Sequence, residues 1–204
     1  MNREQRTQEH FRDWQRSQTP AESELQDMAF DFQEKYFADL RLVAPSIRRQ
    51  LFGQLYRAEG DPPDISIDEW IFRFRRFRKS RGIIGWYNGN HQTISIKPDL
   101  PSIEHRAALL HEMIHAYEFQ LSLPESRPYR DWLLLDLHQR MLKRMKPAEL
   151  RNRMRVSTQR YAILKDTTCG GHGLLFLLKS LDLDRRCRWK LGTVFGYGRE
   201  DYFK

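Results

Sequence analysis

Ala107-Ala108-Leu109-Leu110-His111-Glu112-Met113-Ile114-His115-Ala116-Tyr117 is the stretch on which the reading of this chain turns. Residues 111–115 spell H-E-x-x-H. On an α-helix, positions i and i+4 project from one face about one turn apart, so both imidazoles reach a single metal ion. Zinc accepts imidazole nitrogen, and a catalytic zinc keeps three protein ligands and one open position. Glu112 falls to the side of that position, where it can take a proton from metal-bound water. If the segment is helical, the pattern predicts a zinc-dependent peptidase.

The surrounding residues supply the helix. Ser102 is a good N-cap and Glu104 suits the positive end of the first turn. Ile103, Ala107, Leu110, Ile114, Tyr117 and Leu121 recur at steps of three and four and make one apolar stripe. His111, His115 and Glu118 make the adjoining stripe, so one face can bury while the next faces a cleft. Glu118 is either a carboxylate anchoring a metal ligand from behind or a solvated surface charge, and the residue pattern favours the latter.

Upstream, Trp70-Ile71-Phe72-Arg73-Phe74-Arg75 alternates as a half-exposed strand does. Residues 83–87 and 93–96 read as two more strands, and Asn88-Gly89-Asn90 between them is hairpin chemistry. Pro98 and Pro101 end the sheet. Residues 1–18 suggest a polar helix or arm. Thr19-Pro20 opens a helix over about residues 20–40, with Leu25, Met28, Ala29, Phe32, Tyr36 and Phe37 at helical spacing. A short helix is expected through Ile47, Leu51 and Leu55, before the breaker Gly60-Asp61-Pro62-Pro63-Asp64. Downstream, residues 130–146 look helical as far as Pro147, and residues 148–165 are basic and part helical. Gly170-Gly171-His172-Gly173 turns into an apolar helix through Leu174, Leu175, Leu178 and Leu181, and Leu191–Gly198 reads as an extended, glycine-punctuated tail.

Catalytic zinc wants a third protein ligand, and the remaining histidines are His10, His91, His105, His138 and His172. His105 shares the helix but is off the face, and His10 and His91 have no supporting context. His138 and His172 remain. His172 is the better placed, because a helix start keeps an imidazole neutral and its flanking glycines allow close approach to a metal.

Composition bounds the answer. The chain has 204 residues with 40% hydrophobic and 12% aromatic content, enough for one cored domain. The polar N-terminus has no apolar signal region, and no apolar run is long enough to cross a bilayer, so no membrane partner is expected. Two cysteines, Cys169 and Cys187, predict no disulfide framework and suit an intracellular setting, nuclear in a eukaryote or cytoplasmic in a bacterium. The net charge of +8 is uneven: residues 1–64 carry 9 Lys+Arg and 12 Asp+Glu, a balance of −3, and residues 65–204 carry 26 and 15, a balance of +11. A field of that sign favours polyanions, nucleic acid first.

The run Gly85-Trp86-Tyr87, then Ile94-Ser95-Ile96, then Leu109 to Tyr117 resembles the SprT-like domain that includes the Spartan proteases. Gly171-His172-Gly173-Leu174-Leu175-Phe176 resembles that family's G-H-G-x-x-F segment. The resemblance covers about residues 20–182. It implies zinc on His111, His115 and His172, with Glu112 as general base. It also implies a zincin-like α+β fold: N-terminal helices, a small antiparallel three-stranded sheet, the H-E-x-x-H helix and further C-terminal helices. The domain division expected is a polar arm over 1–19 and a single SprT-like metalloprotease domain over 20–204. Spartan-type members degrade proteins crosslinked to DNA, which implies a protein substrate and DNA, single-stranded or duplex, as a partner. Two features depart from the family. His115 and His172 are 57 residues apart, so about residues 120–168 form a basic helical insertion. The two cysteines cannot build the zinc ribbon that many members carry.

Two segments are candidates for a polyanion surface. Residues 71–81 hold Arg73, Arg75, Arg76, Arg78, Lys79 and Arg81, interleaved with Phe72, Phe74 and Phe77 and free of acids. Most of these phenylalanines are expected to face the core. From Arg140 to Lys165 there are nine Lys+Arg against Glu149 alone. Trp86, Trp132 and Trp189 are expected in the core. Tyr197 and Arg199, in the tail, are placed to reach the cleft and stabilise an oxyanion. The alternatives to a DNA-directed protease are a zinc peptidase with a dedicated substrate and no use for DNA, and a non-catalytic nucleic-acid-binding zinc protein.

Overall fold

Thr19 and Glu22 begin the first long apolar helix by capping it reciprocally. Glu22 N–H donates to Thr19 Oγ1 at 3.3 Å, Thr19 N–H donates to Glu22 Oε2 at 3.0 Å, and Pro20 supplies a preset φ at the first helical position. The helix that follows, α2 (Pro20–Tyr36), buries Leu25, Ala29 and Phe32 at steps of four and three. Before it, α1 (Arg3–Ser17) is polar except for Trp14, which is buried, and Phe11, whose ring lies 5.7 Å from that of Trp14. The computed structural model describes residues 3–39, 67, 70–78, 83–146, 148–149, 152 and 172–197. The helix expected near 47–55, the breaker at 60–64 and most of 148–165 lie outside the described residues.

The sheet consists of β1 (Ile71–Phe74), β2 (Gly85–Asn88) and β3 (Thr93–Ile96), in the order β1-β3-β2. It is mixed, which corrects the antiparallel sheet expected. β2 and β3 form the hairpin, with Asn88 opposite Thr93 and a turn over 89–92. Asn90 N–H donates to Asn88 Oδ1 at 3.1 Å, and Gln92 takes φ 45° to close the turn. β1 lies on the other side of β3 and runs parallel to it, Ile71 opposite Thr93 and Phe74 opposite Ile96. Ile71 N–H donates to Gln92 O and Arg75 N–H to Ile96 O, the slanted ladder of a parallel pair. Alternation along a strand carries no direction, so the residue pattern could not distinguish the two pairings.

Pleating separates the two faces. Phe72, Phe74, Tyr87, Ile94 and Ile96 face α3 (Ser102–Leu121): Phe74 meets His105 with ring centroids 5.4 Å apart, and Tyr87 meets His115 at 6.3 Å. Arg73, Trp86 and Ser95 point the other way, in one row across the sheet. Ser102 is the first residue of α3 rather than its cap, a position taken by Pro101, whose carbonyl accepts from His105 N–H at 2.9 Å. The expected stripe is buried except Ile103, which is 49% exposed, and every residue from Ala107 to Tyr117 is buried. α3 is therefore a central helix, covered on all sides over three turns.

A 3-10 turn at Pro124–Ser126 leads into α4 (Arg127–Leu142), whose Tyr129, Leu133, Leu137 and Met141 are core residues. The described half of the expected insertion is thus part of the core. The last helix, α5 (Leu174–Arg186), lies against α3 and α4 and is buried from Leu175 to Asp184. The tail expected to be extended folds back instead as consecutive turns over 191–197, with Gly192 at φ 95°. The architecture is α+β. Among the described residues no helix is long and apolar enough to cross a membrane.

Charges are buried at the junction of these helices. Lys179 on α5 donates to Asp39 and, at 2.6 Å, to the Tyr36 carbonyl. Asp39 also accepts from Arg140 at 3.2 Å and from the Tyr117 hydroxyl at 3.3 Å, and that hydroxyl lies 3.0 Å from the hydroxyl of Tyr129. Arg140 reaches Asp182 at 3.3 Å. The network ties the end of α2 to α3, α4 and α5 immediately behind the H-E-x-x-H turns.

Candidate metal centre

The helical spacing predicted for His111 and His115 is realised: both rings lie on one side of α3, with centroids 5.2 Å apart. His172, in the two residues before α5, completes a group of three histidines whose possible ligand atoms all lie within 4.8 Å of one another. His172 Nε2 is 2.9 Å from His111 Nε2. His138 lies on α4 and takes no part. Gly173 stands at the N-cap of α5 in extended conformation, and this delivers His172 to the triad. Gly171 is outside the described residues.

The histidines are oriented from behind. His111 Nδ1 lies 3.0 Å from the Val194 carbonyl, and a carbonyl can only accept, so Nδ1 carries the proton and Nε2 presents its lone pair. Val194 is fixed in turn by Asp184 at the end of α5, which accepts from Val194 N–H at 2.8 Å and Gly192 N–H at 2.6 Å. Phe176, fully buried on the first turns of α5, lies within 4.5–4.6 Å of all three imidazole centroids and closes the apolar side. Asp184 and Val194 have no signature in the sequence, because their roles depend on a turn folding back over 191–197.

Burial sets the electrostatics. It holds His111 well below its ordinary pKa, lowers His115 to about 4 and, with the charge of His115, lowers His172 to about 3. All three are neutral at pH 7, the form that binds metal. Two carboxyls flank them. Glu112 is pushed up to about 8 by burial, against hydrogen bonds from the Tyr197 hydroxyl and the Tyr87 backbone N–H. Glu118 is also pushed up to about 8 by burial, against the Phe176 N–H. Glu118 is therefore not the solvated charge expected: its Oε2 lies 3.8 Å from His115 Nδ1, which is buried and has no hydrogen-bond partner among the described residues. A carboxylate this close behind a histidine is placed as those that orient metal-binding imidazoles are.

Glu112 rests against β2. A Cβ added at Gly85 would lie 2.5 Å from Glu112 Oε1, so a glycine is required for this approach. From the opposite side Tyr197 donates to Glu112 Oε1 at 3.0 Å and stacks on His111, with centroids 3.9 Å apart. Tyr197 thus reaches the site, as its place in the sequence suggested; Arg199 is outside the described residues.

The residues present fit a metal ion. Three neutral imidazoles converge, one with its tautomer fixed, and two carboxyls lie alongside whose protonation a cation would reverse. Three nitrogen donors with a carboxylate beside them suit zinc.

The remaining sequence candidates lie elsewhere. Arg73, Arg75, Arg76 and Arg78 stand away from the triad, on and beyond β1, while Lys79 and Arg81 fall outside the described residues. Phe72 is buried, as expected of a core residue. Trp132 and Trp189 pack on the core, but Trp86 is 45% exposed, which corrects its expected place. Comparison with protein-family models, with curated proteins and with solved structures finds no match to the chain.

Proposed function

We propose that this chain is a zinc-dependent endopeptidase of SprT-like, zincin type, working inside the cell on protein substrates that include proteins associated with DNA. The observation that carries the reading is the convergence of His172 on His111 and His115, across 57 residues of chain, beside a buried glutamate. A purely structural site has no use for a carboxylic acid held against the metal-binding face.

His111, His115 and His172 would hold the zinc. When bound, zinc supplies Lewis-acid polarisation of a carbonyl and makes a water more acidic. The protein's own residues do the rest. Glu112, held between the Tyr87 N–H and the Tyr197 hydroxyl, accepts the proton of the attacking water and returns it to the leaving amine. Val194 keeps the His111 lone pair directed inward. Phe176 excludes water from the apolar side, which strengthens every polar interaction at the site.

Glu112→Gln tests the reading. It should keep full metal stoichiometry and lower peptide hydrolysis by about a hundredfold or more, the contribution of a general base. A Glu112→Gln protein that cleaves like wild type overturns the mechanism. His172→Ala should reduce bound zinc, and an unchanged zinc content removes His172 from the site. Both assays are run on a DNA-bound protein substrate with and without single-stranded DNA. Identical rates in the two conditions would leave a peptidase with a dedicated substrate.

A further inference from the structure

The sheet has a second face, and α3 does not cover it. Arg73, Ser95 and Trp86 are aligned across β1, β3 and β2 on that face. Two clefts meet there. One, of about 390 Å³, has Thr93 and Ser95 on its floor and Arg73, Arg75 and Trp86 around it, with Arg6 and His10 of α1 along its far wall. The other, of about 420 Å³, continues past Arg75 to Arg76, Phe77 and Arg78. Trp86 and Arg75 line both, and among the described residues neither cleft is lined by an aspartate or glutamate.

The chemistry of this groove is specific. Short polar side chains on the floor leave depth for a ligand. Arginines on both sides supply forked donors matched to phosphate oxygens. Arg73 lines the cleft, and its Nε is buried without a hydrogen-bond partner among the described residues. Arg75 lies 5.8 Å from the Phe77 ring, so a guanidinium and an aromatic plane already stand side by side. Trp86 is the residue that departs from the burial rule. A large indole 45% exposed between arginines is misplaced for stability, but it is a stacking platform for an unpaired base. A paired duplex keeps its base faces stacked on one another and cannot use it.

We infer that the outer face of the sheet is a binding groove for single-stranded nucleic acid, with phosphates on Arg73, Arg75 and Arg76 and a base stacked on Trp86. The partner follows the DNA association in the proposed function, and the groove itself rests on residues separate from the metal centre. β2 joins the two sites. Trp86 faces the groove, while its neighbours Gly85 and Tyr87 face inward to Glu112 and His115. A strand lying in the groove is held one sheet's thickness from the proposed peptidase centre, so a protein attached to that strand is concentrated beside it.

The test is fluorescence anisotropy of the full chain with labelled oligothymidylate of about twenty nucleotides, a hairpin duplex of the same length and heparin, across a salt series. Wild type should prefer the single strand. Trp86→Ala should weaken single-strand binding about five- to hundredfold and change duplex binding much less. Arg75→Glu should weaken it tenfold or more and flatten the salt dependence. Arg127→Glu, the same charge change on α4 outside the groove, should have little effect. Equal losses in Arg75→Glu and Arg127→Glu overturn the groove in favour of diffuse charge. A Trp86→Ala protein that binds as wild type does, or heparin binding that falls equally with Trp86, overturns base stacking. Zinc content and peptidase rate of the same proteins separate the two proposals. Binding that follows the groove variants in a chain without zinc or activity leaves the groove standing and defeats the peptidase, and hydrolysis without groove-dependent binding does the reverse.

Discussion

The hydroxyl of Tyr197 donates to Glu112 Oε1 at 3.0 Å while its ring lies flat against His111, so one side chain from the C-terminal turns touches both the proposed base and a proposed metal ligand. The two contacts can be separated by substitution. Tyr197→Phe keeps the ring over His111 and removes only the hydrogen bond. Zinc stoichiometry should be unchanged and kcat should fall about tenfold or more, the loss of one hydrogen bond to a charged group. Tyr197→Ala should also weaken zinc, seen as earlier metal loss in a chelator titration. If Tyr197→Phe has wild-type kcat, the hydroxyl does not position Glu112.

Asp184 acts at one remove from the metal. Its two carboxylate oxygens fix the turn that carries the Val194 carbonyl, and that carbonyl fixes His111. Asp184→Asn retains the size and one acceptor but cannot accept both N–H groups. Zinc affinity should fall about tenfold to a hundredfold, the usual effect of losing support behind a ligand. Competition with a fluorescent chelator measures it, and an unchanged affinity with an intact fold would show that the turn does not depend on Asp184.

How much of this could be read from the residues follows from the range of each interaction. His111, Glu112 and His115 lie within two turns of one helix, where a 3.6-residue period converts spacing into position. His172 and His138 were separable only by local context, since each depends on a contact across the chain. Val194 was invisible because it acts through a backbone carbonyl that any residue possesses. Trp86 departs from the expected core position for a different reason. Alternation puts it opposite Gly85 and Tyr87, but the pattern does not say which face α3 covers. The direction of β1 was equally silent, because parallel and antiparallel strands of four residues share the same alternation.

Gly85 is where β2 and the metal centre come closest. Any Cβ there meets the Glu112 carboxyl, with Oε1 at 2.5 Å and Cγ at 2.8 Å. Gly85→Ala should leave the strand paired, since alanine is compatible with a strand, and displace Glu112. A misplacement of about 1 Å in a reacting group costs on the order of a hundredfold in rate. The expected result is a folded, zinc-loaded protein with a kcat near that of Glu112→Gln. Wild-type activity in Gly85→Ala would mean that Glu112 works from another position.

The buried charges behind the site predict the acid limb of stability. Burial alone would raise the Asp39 pKa, but Lys179 first and then Arg140 overrule it and hold the carboxyl below its ordinary range. A carboxyl with a depressed folded pKa contributes stability that is complete above its unfolded value, near 4, and is lost as pH falls through the folded value. The part of the stability that Asp39 contributes should therefore be constant from pH 7 to about 5 and fall away below about 4, read as the difference in stability between wild type and Asp39→Asn. Asp39→Asn leaves Lys179 charged and buried, and should cost about 3–5 kcal/mol at pH 7. The gap between Asp39→Asn and wild type should narrow as the pH falls below about 4, because the wild-type carboxyl is then also being neutralised. Replacing both partners, as Asp39→Leu with Lys179→Met, removes the uncompensated charge and should recover much of the loss. A gap that stays constant between pH 7 and 3 would show that Asp39 is not the group whose protonation limits stability in acid.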